Sequence, residues 1–362
     1  MNGHQSEQAV SAHSDTRAGL RGQALRRQER EQIEAAGLAD GATLAQGAGN
    51  RAIPEEPDRL RTCFERDRDR IVHSAAFRRL AGKTQVVVYP KDHQRTRLTH
   101  ALEVAQVATA IARGIGANVT LTEAIALGHD CGHGPGGHAS EDAFTPYIPG
   151  GYLHGPWGAD VALRPLNLCL ETLDGIRNHS WSQPAPLTVE GEIVSWADRI
   201  AYCAHDLEDA MYAGIVSLEI LPPAVVERCG RRRSEHLRVF IGSIIETTIE
   251  MGRVSMAGEI AQALSDLRQF NYDHIYMRPD SVAQADAVIE LLRALVDHYV
   301  RYPDQIPVYA DLAALINQEV DEATWCAVAY VAGMTDRFAF EQAEALLSYD
   351  TSRFPVGIGR GA

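Results

Sequence analysis

The sequence lacks three features that would place the chain in a membrane or outside the cell. Its longest apolar runs are interrupted by charged residues or glycines well before the roughly 18 residues that a transmembrane helix requires. The N-terminus, MNGHQSEQAVSAHSDTRAGL, has no apolar core of the kind found in signal peptides. The six cysteines are far apart and form no CxxC pair, so neither a disulfide framework nor a zinc finger is indicated. We therefore expect a cytoplasmic protein with free, buried thiols and no membrane partner.

The sequence also has fewer basic residues than acidic ones. The chain has 34 lysines and arginines against 48 aspartates and glutamates, which gives a formal net charge of −14. Such a surface repels a polyanionic backbone overall, so nucleic acid is disfavoured as a partner, although a local basic pocket is not excluded. What the chain does have is length and apolar content, because its 362 residues are 45% hydrophobic and can bury a sizeable core.

Hydrophobic spacing indicates an all-α, mostly helical fold. The clearest helix is RTRLTHALEVAQVATAIARGIG, where apolar residues recur every three or four positions and glycines end the pattern. The next helix should open at Thr120, which forms a capping-box pattern with Glu123, and run to about Asp130. Further helical patterns cover residues 161–178, 188–215, 234–266, 282–301 and 308–347. Strand-like alternation is best developed in TQVVVY, residues 84–89, which could form one arm of a small β-hairpin.

Composition divides the chain into a helical body and two tails. Residues 1–50 carry few large apolar residues, so we expect a mobile N-terminal tail with one polar helical piece around LRRQEREQIEAAGL. The body should span residues 51–348, with a core at about 95–215 and a C-terminal helical part at 216–348. Residues 349–362 have the composition of a loose C-terminal tail.

The stretch ALGHDCGHGPGGHASEDAF, residues 126–144, concentrates histidines, acids and glycines. Imidazole and carboxylate groups together suit divalent transition metals, Mn²⁺ or Mg²⁺. His129 and His133 are four residues apart, so a helix that continued this far would place both on one face beside Asp130. The glycines would allow a sharp turn that brings His138 and Glu141 back over the same spot.

A metal site needs further ligands from elsewhere in the chain. His100 lies on the preceding helix, away from its apolar positions. Asp198 has Trp196 and Ile200 as apolar neighbours, and an acid buried in such a stretch should be paired or liganded. Each of these residues has an ordinary structural explanation when taken alone, but one shared site explains them together.

The order His100, His129–Asp130, Asp198 resembles the H…HD…D signature of HD-domain phosphohydrolases. More narrowly, the chain resembles the deoxyguanosine-triphosphate triphosphohydrolase-like family of bacterial dNTPases. The similarity rests on four blocks in the family's order between residues 64 and 215: FERDRDRIVHSAAFRRLAGKTQV, RTRLTHALEVAQVA, EAIALGHDCGHGPGGHASEDAF and VSWADRIAYCAHDLEDAMYAGI. Weaker similarity continues through LRQFNYDHIYMRP.

The resemblance implies an HD-domain fold and roles for thirteen residues. The implied metal ligands are His100, His129, Asp130 and Asp198. The residues implied in phosphoester cleavage are His133, His138, Glu141 and His154. The implied substrate contacts are Gln85, Arg97, Arg199, Tyr202 and Asp206. The implied cofactor is one divalent ion, Mn²⁺, Mg²⁺, Co²⁺ or Fe²⁺, with a second ion left open.

Helical spacing agrees with this grouping. Arg97 precedes His100 by three residues and therefore lies on nearly the same face. Tyr202 and Asp206 follow Asp198 by one and two turns, so all three side chains should project toward one site.

The activity that the resemblance implies is cleavage of dGTP or several dNTPs to a deoxynucleoside and inorganic triphosphate. It also implies a homo-oligomer, and in some members a dNTP at a second site acts as an activator. Two alternatives stay open: an HD-domain phosphatase acting on a nucleoside monophosphate or modified nucleotide, and a non-catalytic nucleotide-sensing or single-strand-binding module. The intact ligand set and the acidic charge count against the second alternative.

The catalytic stretch departs from the family at three positions. Relatives commonly read GHPPFGHAGE where this chain reads GHGPGGHASE. Gly134 and Gly136 stand in place of a proline and a bulky aromatic residue, and Ser140 stands in place of a glycine. The exchange predicts a more mobile loop and the loss of one wall of the pocket.

Overall fold

The computed structural model describes residues 19–86, 94–316 and 319–350, with isolated positions before residue 19 and Ser352. Its first helices are α1 (Arg27–Gly37), α2 (Cys63–His73), α3 (Ala75–Arg79), α4 (Arg97–Ile115), α5 (Val119–Gly128), α6 (Ala139–Phe144), α7 (His154–Trp157) and α8 (Leu170–Asn178). These are followed by α9 (Val189–Tyr212), α10 (Pro223–Cys229), α11 (Arg233–Met251), α12 (Gly258–Asn271), α13 (Pro279–Arg301), α14 (Tyr309–Ala313), α15 (Glu322–Ala332) and α16 (Asp336–Leu347).

Strand structure is minimal in the part of the chain that the structure describes. Two-residue strands β1 (His4–Gln5) and β2 (Val10–Ser11) pair antiparallel near the N-terminus. The predicted strand over residues 84–89 lies partly outside the described residues, since residues 87–93 are not among them. Within the described part, Thr84 forms a single antiparallel bridge with Thr96. The predicted helical fold class is therefore confirmed.

Helix α4 follows its predicted pattern closely. Its buried face consists largely of small and branched apolar side chains, Ala101, Val104, Ala105, Val107, Ala108, Ile111 and Ala112. The helix ends where Gly116 adopts a left-handed backbone with φ +75° and donates its N–H to the carbonyl of Ala112. Glycine enters this conformation without steric strain, which is why the helix ends here.

Helix α5 begins and ends at different residues from those predicted. The cap is Asn118, whose side chain accepts hydrogen bonds from the N–H groups of Thr120 and Leu121, so Thr120 is inside the helix. A buried asparagine oxygen can satisfy two free N–H groups of the first turn. The helix ends at Gly128, two residues before the predicted Asp130, and the chain then continues in consecutive turns.

The apolar side chains form two cores. The first core contains the buried faces of α2, α4, α5, α8, α9, α11 and α12. The second core contains α13, α15 and α16, together with side chains of α6 and the aromatic residues Tyr152 and Trp157. The segment between α5 and α6 passes from the first core to the second. Its histidines and glycines therefore lie where the two cores meet.

Part of the predicted N-terminal tail is packed against the body. Arg27 donates from its backbone N–H to the carbonyl of Arg59, and Asn118 donates to Glu34 of α1. The hydroxyl of Thr43 donates to the buried carboxylate of Glu190 at 2.7 Å. These contacts are polar, so the low apolar content of residues 1–50 could not reveal them. The division of the chain into domains stays a prediction.

The expectations about membrane helices and cysteines can be compared with the described residues. None of the described helices combines the length and apolar character needed to cross a membrane. All six cysteines are buried and free, as their wide spacing predicted.

Candidate metal centre and substrate cavity

Three separate segments bring the predicted metal ligands together. His100 projects from the first turns of α4, His129 and Asp130 follow the end of α5, and Asp198 projects from the middle of α9. These three elements pack on one another in the first core. The site therefore depends on the packing of helices that are far apart in sequence.

The distances within this His/Asp cluster suit a single ion. Nε2 of His100 lies 3.0 Å from Oδ1 of Asp198 and 3.9 Å from Oδ2 of Asp130. Nε2 of His129 lies 3.4 Å from Oδ1 of Asp130 and 3.7 Å from Oδ1 of Asp198. Ligand atoms held about 2.0–2.2 Å from a shared ion lie roughly 3–3.6 Å apart when they are adjacent and roughly 4–4.4 Å apart when they are opposite, and all four distances fall within this span. The cluster could therefore hold a divalent metal.

The orientation of His129 favours metal binding. Its Nδ1 lies 2.6 Å from the carbonyl of Ala126 and must donate to it, which leaves the lone pair of Nε2 directed into the cluster. Nε2 is buried and has no hydrogen-bond partner among the described residues. Burial lowers the pKa of His129, which keeps the ring neutral, as a metal ligand must be.

Asp130 is held as a charged carboxylate by Arg97. Nη1 of Arg97 donates to Oδ2 of Asp130 at 2.8 Å, and both side chains are buried. Burial alone would raise the pKa of Asp130, but Arg97 and the nearby histidines hold it well below its usual range. Burial likewise works against the positive charge of His100, yet the hydrogen bond to Asp198 and the charge of Asp130 raise its pKa.

A second group of histidines lies beside the cluster. The rings of His133 and His154 stack with centroids 3.7 Å apart, and Nε2 of His133 is 3.2 Å from Oδ1 of Asp130. Glu141 accepts from the backbone N–H of His154 at 2.9 Å and also contacts its ring. His138 is 72% exposed, and its Nδ1 is 3.6 Å from Oε2 of Glu141. Glu141 therefore lies between the two imidazoles, one buried and one open to solvent.

Sequence reasoning missed His179, which belongs to this group. Its Nε2 lies 3.0 Å from Nε2 of His154, and its Nδ1 donates to the carbonyl of Ile176. A ring nitrogen of His179 lies within 4.8 Å of possible ligand atoms of His129 and Asp198. It also forms such a group with Asp130 and His154. His179 follows the end of α8, and a single histidine in RNHSW has no spacing signal that could have identified it.

The cluster opens into a cavity of about 430 Å³, which is within the size range of ligand pockets. All but two of the thirteen predicted site residues line it, and the other two, His129 and Glu141, contact lining residues. Several of these residues carry buried polar atoms without a hydrogen-bond partner among the described residues, and they include Oε1 of Gln85, Nη2 of Arg97 and Oδ1 of Asp206. Unsatisfied groups of this kind are rare in native proteins and indicate a ligand or water.

Helices α9 and α12 supply further side chains to the lining of the cavity. The guanidinium of Arg199 stacks over the ring of Trp181 at 3.5 Å, which leaves its planar edge available. The hydroxyl of Tyr202 accepts from Nε of Arg268 at 3.0 Å. The spacing of Asp198, Tyr202 and Asp206 on α9 predicted that they face one site, and all three line the cavity.

Asp206 is the buried acid at this end of the cavity. Its Oδ2 accepts a hydrogen bond from the hydroxyl of Tyr276. Burial raises its pKa to about 7, against the opposing effect of that hydrogen bond. Trp181, Arg268 and Tyr276 were not predicted. Trp181 lies outside the recognised blocks, and Arg268 and Tyr276 lie in the stretch of weaker similarity, LRQFNYDHIYMRP, where no spacing marked them as site residues.

The glycine-rich loop over residues 132–137 is buried, whereas the sequence predicted added mobility. Gly134 donates its N–H to Oγ of Ser140 at 3.0 Å, and Oγ of Ser140 donates to the carbonyl of Gly137 at 2.6 Å. A Cβ atom on Gly136, at φ +73°, would lie 2.5 Å from Val288. The glycines thus permit close packing against the second core.

Comparison with known proteins agrees with this arrangement. The HD domain family matches residues 97–203, and the phosphohydrolase-associated domain family matches residues 254–345. Three relatives are each named deoxyguanosinetriphosphate triphosphohydrolase-like protein. The relative from Caldanaerobacter subterraneus subsp. tengcongensis is 38% identical over 85% of this chain and 92% of its own length. The relative from Clostridium perfringens (strain 13 / Type A) is 39% identical over 86% of this chain and 94% of its own length. The relative from Desulfatibacillum aliphaticivorans is 36% identical over 86% of this chain and 95% of its own length.

The helical fold, the His/Asp cluster and these matches define an HD-domain phosphohydrolase, a hydrolase that acts on phosphoric ester bonds. The chain belongs to the deoxyguanosinetriphosphate triphosphohydrolase-like family.

Proposed function

We propose that this hydrolase cleaves dGTP or several dNTPs into a deoxynucleoside and inorganic triphosphate, with the help of a divalent metal ion. The observation that carries the proposal is the content of one cavity. It combines a His/Asp cluster, three arginines and buried polar atoms that lack partners among the described residues. The name shared by the relatives supports a nucleoside triphosphate as the substrate.

The donor set fits a divalent ion, because the free Nε2 of His129 faces two carboxylates and a second imidazole. We propose His100, His129, Asp130 and Asp198 as the ligands. An ion bound there would polarise the phosphate to be attacked and lower the pKa of a bound water. Imidazole and carboxylate ligands suit Mn²⁺, Mg²⁺, Co²⁺ and Fe²⁺ alike, so the ligands do not select one metal.

Arg97 and Arg199 would hold the triphosphate. Nη1 of Arg97 is engaged by Asp130, while its buried Nη2 has no partner among the described residues and is free to donate to a phosphate oxygen. Arg199 is fixed by stacking on Trp181 without using its N–H groups in that contact. A planar guanidinium can bind phosphate through two parallel hydrogen bonds, so these two side chains suit a polyanionic substrate.

His138 would protonate the leaving 5′-oxygen. Its exposed ring can exchange protons with solvent, and the carboxylate of Glu141 can orient it. The neighbouring imidazoles of His138 and His154 hold the pKa of Glu141 well below its usual range despite its burial, so it stays charged for this task. Burial also keeps the pKa of His133 low, and a neutral ring stacked on His154 would contact the phosphate being attacked.

The polar atoms at the other end of the cavity would bind the sugar. Oδ1 of Asp206 and Oε1 of Gln85 can each accept a hydrogen bond from a hydroxyl group, and neither has a donor among the described residues. Tyr202 lies between the arginine-lined wall and Asp206 on α9. Its ring would pack against the deoxyribose.

The proposal is tested by incubating the protein with each of the four dNTPs and Mn²⁺ or Mg²⁺ and identifying the products. We expect a deoxynucleoside and inorganic triphosphate. A His138→Ala variant should lose about 10²- to 10⁴-fold in kcat, the usual contribution of general acid catalysis. His73→Ala, at an exposed histidine near the end of α2, is the matched control and should retain wild-type turnover.

Release of orthophosphate from a nucleoside monophosphate, with no triphosphate from any dNTP, would instead establish a phosphatase. Full turnover by His138→Ala would remove this residue from the proton transfer. Metal binding without turnover on any phosphoester would support the sensing alternative.

A further inference from the structure

Three distant segments meet behind the catalytic loop. The carboxylate of Asp336, at the first position of α16, accepts the N–H of Gly136 on Oδ1 at 2.8 Å. On Oδ2 it accepts the N–H of Thr84 at 3.0 Å and the hydroxyl of the same residue. Asp336 is buried, with 3% of its surface exposed. The second core therefore supplies one carboxylate that holds backbone groups from two other segments.

Both of these segments lead directly to the cavity. The carbonyl of Thr84 accepts from Nε of Arg97 at 3.0 Å, and the same guanidinium pairs with Asp130. Gly136 is two residues before His138 in the loop. Asp336 is thus one hydrogen-bonded residue away from the arginine proposed to hold phosphate, and two positions along the chain from the proposed general acid.

A buried cation completes the arrangement. Nζ of Lys83 donates to the carbonyl of His133 and, at 3.0 Å, to that of Ala332 at the end of α15. Lys83 and Asp336 therefore each connect the catalytic loop to the region where α15 ends and α16 begins. We call Lys83, Thr84 and Asp336 the clasp. Leaving a buried charge without such partners would cost several kcal/mol, so the side chains and backbone groups are strongly held in these positions.

The loop has little freedom to form other contacts at this point. Gly136 has φ +73°, and a side chain there would overlap Val288 of α13. Gly137 has φ +64°, and a Cβ atom on it would lie 2.9 Å from the carbonyl of Thr84. The backbone of the loop is therefore in close contact with both neighbouring segments, and small displacements of the clasp would be transmitted to it.

We propose that Asp336 is a positioning residue for hydrolysis, which fixes the catalytic loop and Arg97 relative to each other. This inference rests on the proposed function only for the roles of His138 and Arg97. Asp336 touches neither substrate nor metal ligand and acts through the N–H of Gly136 and through Thr84.

The test uses Asp336→Asn in the full-length protein. An asparagine has one oxygen and one NH₂ group where the carboxylate has two acceptors, so Gly136 or Thr84 must lose its partner. We expect kcat to fall by about 10- to 100-fold, because misplacement of reacting groups by about 1 Å costs on this order. KM should change by less than about threefold, since Arg97 keeps its ion pair with Asp130 and Arg199 keeps its contact with Trp181.

Hydrogen exchange followed by mass spectrometry provides a readout that does not depend on turnover. Exchange should accelerate at least about tenfold in peptides covering residues 132–138, with α11 unchanged. Asp321→Asn is the matched control, since Asp321 is an exposed acid that caps α15 in the same part of the chain. It makes the same exchange at an exposed position where an asparagine oxygen can still accept from the N–H of Thr324, so it should leave both kcat and loop exchange as in the wild type.

The proposal is overturned if folded Asp336→Asn keeps kcat within twofold of the wild type, or if its loop exchanges at the wild-type rate. Exchange that rises equally across α13, α15 and α16 would also overturn it, because it would indicate general destabilisation. If Asp336→Asn does not fold, Thr84→Val takes its place, since it removes one of the three bonds and should lower kcat about 3- to 10-fold. If no dNTP is hydrolysed, the proposed function fails, whereas the exchange comparison and kinetics on the phosphoester that the wild type does cleave still decide the role of Asp336.

Discussion

The buried carboxyl groups of Asp130 and Asp206 differ in how many donors and positive charges stabilise their ionised form. Asp130 accepts from Arg97 and lies near several histidines, so its pKa is well below the usual range. Asp206 has a tyrosine hydroxyl on one oxygen and, among the described residues, no donor on the other. Burial therefore raises the pKa of Asp206 to about 7. Its ionisation near neutral pH should affect the stability of the fold.

We predict that Asp206→Asn stabilises the protein at pH 8. Between pH 4 and pH 7 the folded protein retains a proton on Asp206 that the unfolded chain releases, so stability falls as the pH rises through this window. Asparagine does not ionise, so its burial carries no such cost at high pH. The free energy of unfolding should rise by at most about 4 kcal/mol, which corresponds to a pKa shift of about three units. Chemical denaturation from pH 4 to pH 8 measures this effect. The difference between variant and wild type should shrink toward pH 4, and two parallel curves would contradict the prediction.

Sequence reasoning grouped the residues of the site well where helical spacing or the resemblance applied. Arg97 and His100 share a face of α4, and two acids and a tyrosine share a face of α9. Both sets line the cavity. His179 and Asp336 could not be predicted in this way. Their partners lie in segments that approach them only after the two cores have packed.

At the scale of elements, the glycine-rich loop and α6 are linked by Ser140. A Cβ atom on Gly134 would lie 2.7 Å from Cβ of Ser140 and equally close to Phe144. The two departures from the family pattern at these positions are therefore in physical contact. A proline at position 134 would also remove the N–H that now bonds to Ser140.

We predict that substitutions at these two positions are strongly coupled. Gly134→Pro alone should be destabilising, because its ring overlaps Ser140 and leaves the serine hydroxyl without its donor. In the Ser140→Gly background the overlap with the serine is removed, so the same change should cost less, with a coupling of about 1–2 kcal/mol. Denaturation of the wild type, both single variants and the double variant measures the coupling. Additive effects would show that the two departures are independent.

Helices were predicted more accurately than their ends. Apolar spacing located α4 and α9, but the start of α5 depends on a buried Asn118 and its end on the turns that follow Gly128. The polar contacts of α1 with the body were also missed. Such features depend on individual hydrogen bonds across the fold, which leave no periodic pattern in the sequence.

At the scale of the whole molecule, the proposed metal ligands connect α4, the turn after α5, and α9. A bound ion would join three segments of the first core, and a ligand that binds only the folded state stabilises it. The carboxylates and imidazoles would otherwise depend on their mutual contacts and on Arg97.

We predict that removing the metal with a chelator lowers the melting temperature by several degrees and that Mn²⁺ restores it. A free metal concentration of about 100 times Kd would raise the free energy of unfolding by about 2.7 kcal/mol. Asp130→Asn should melt at the same temperature with and without chelator. Asp142→Asn, at an exposed acid of α6, serves as the control and should respond as the wild type does. A wild-type melting temperature that is insensitive to chelation would argue against an ion at this cluster.

The clasp also has a consequence for the order in which the protein is made. The ribosome produces the ligand-bearing helices α4, α5 and α9 before it produces Asp336. A nascent polypeptide would then carry every proposed metal ligand before it acquires the carboxylate that orders the loop. The full hydrolytic rate would then be reached only after synthesis has passed residue 336, so a message truncated before that codon would encode a product that hydrolyses its substrate slowly.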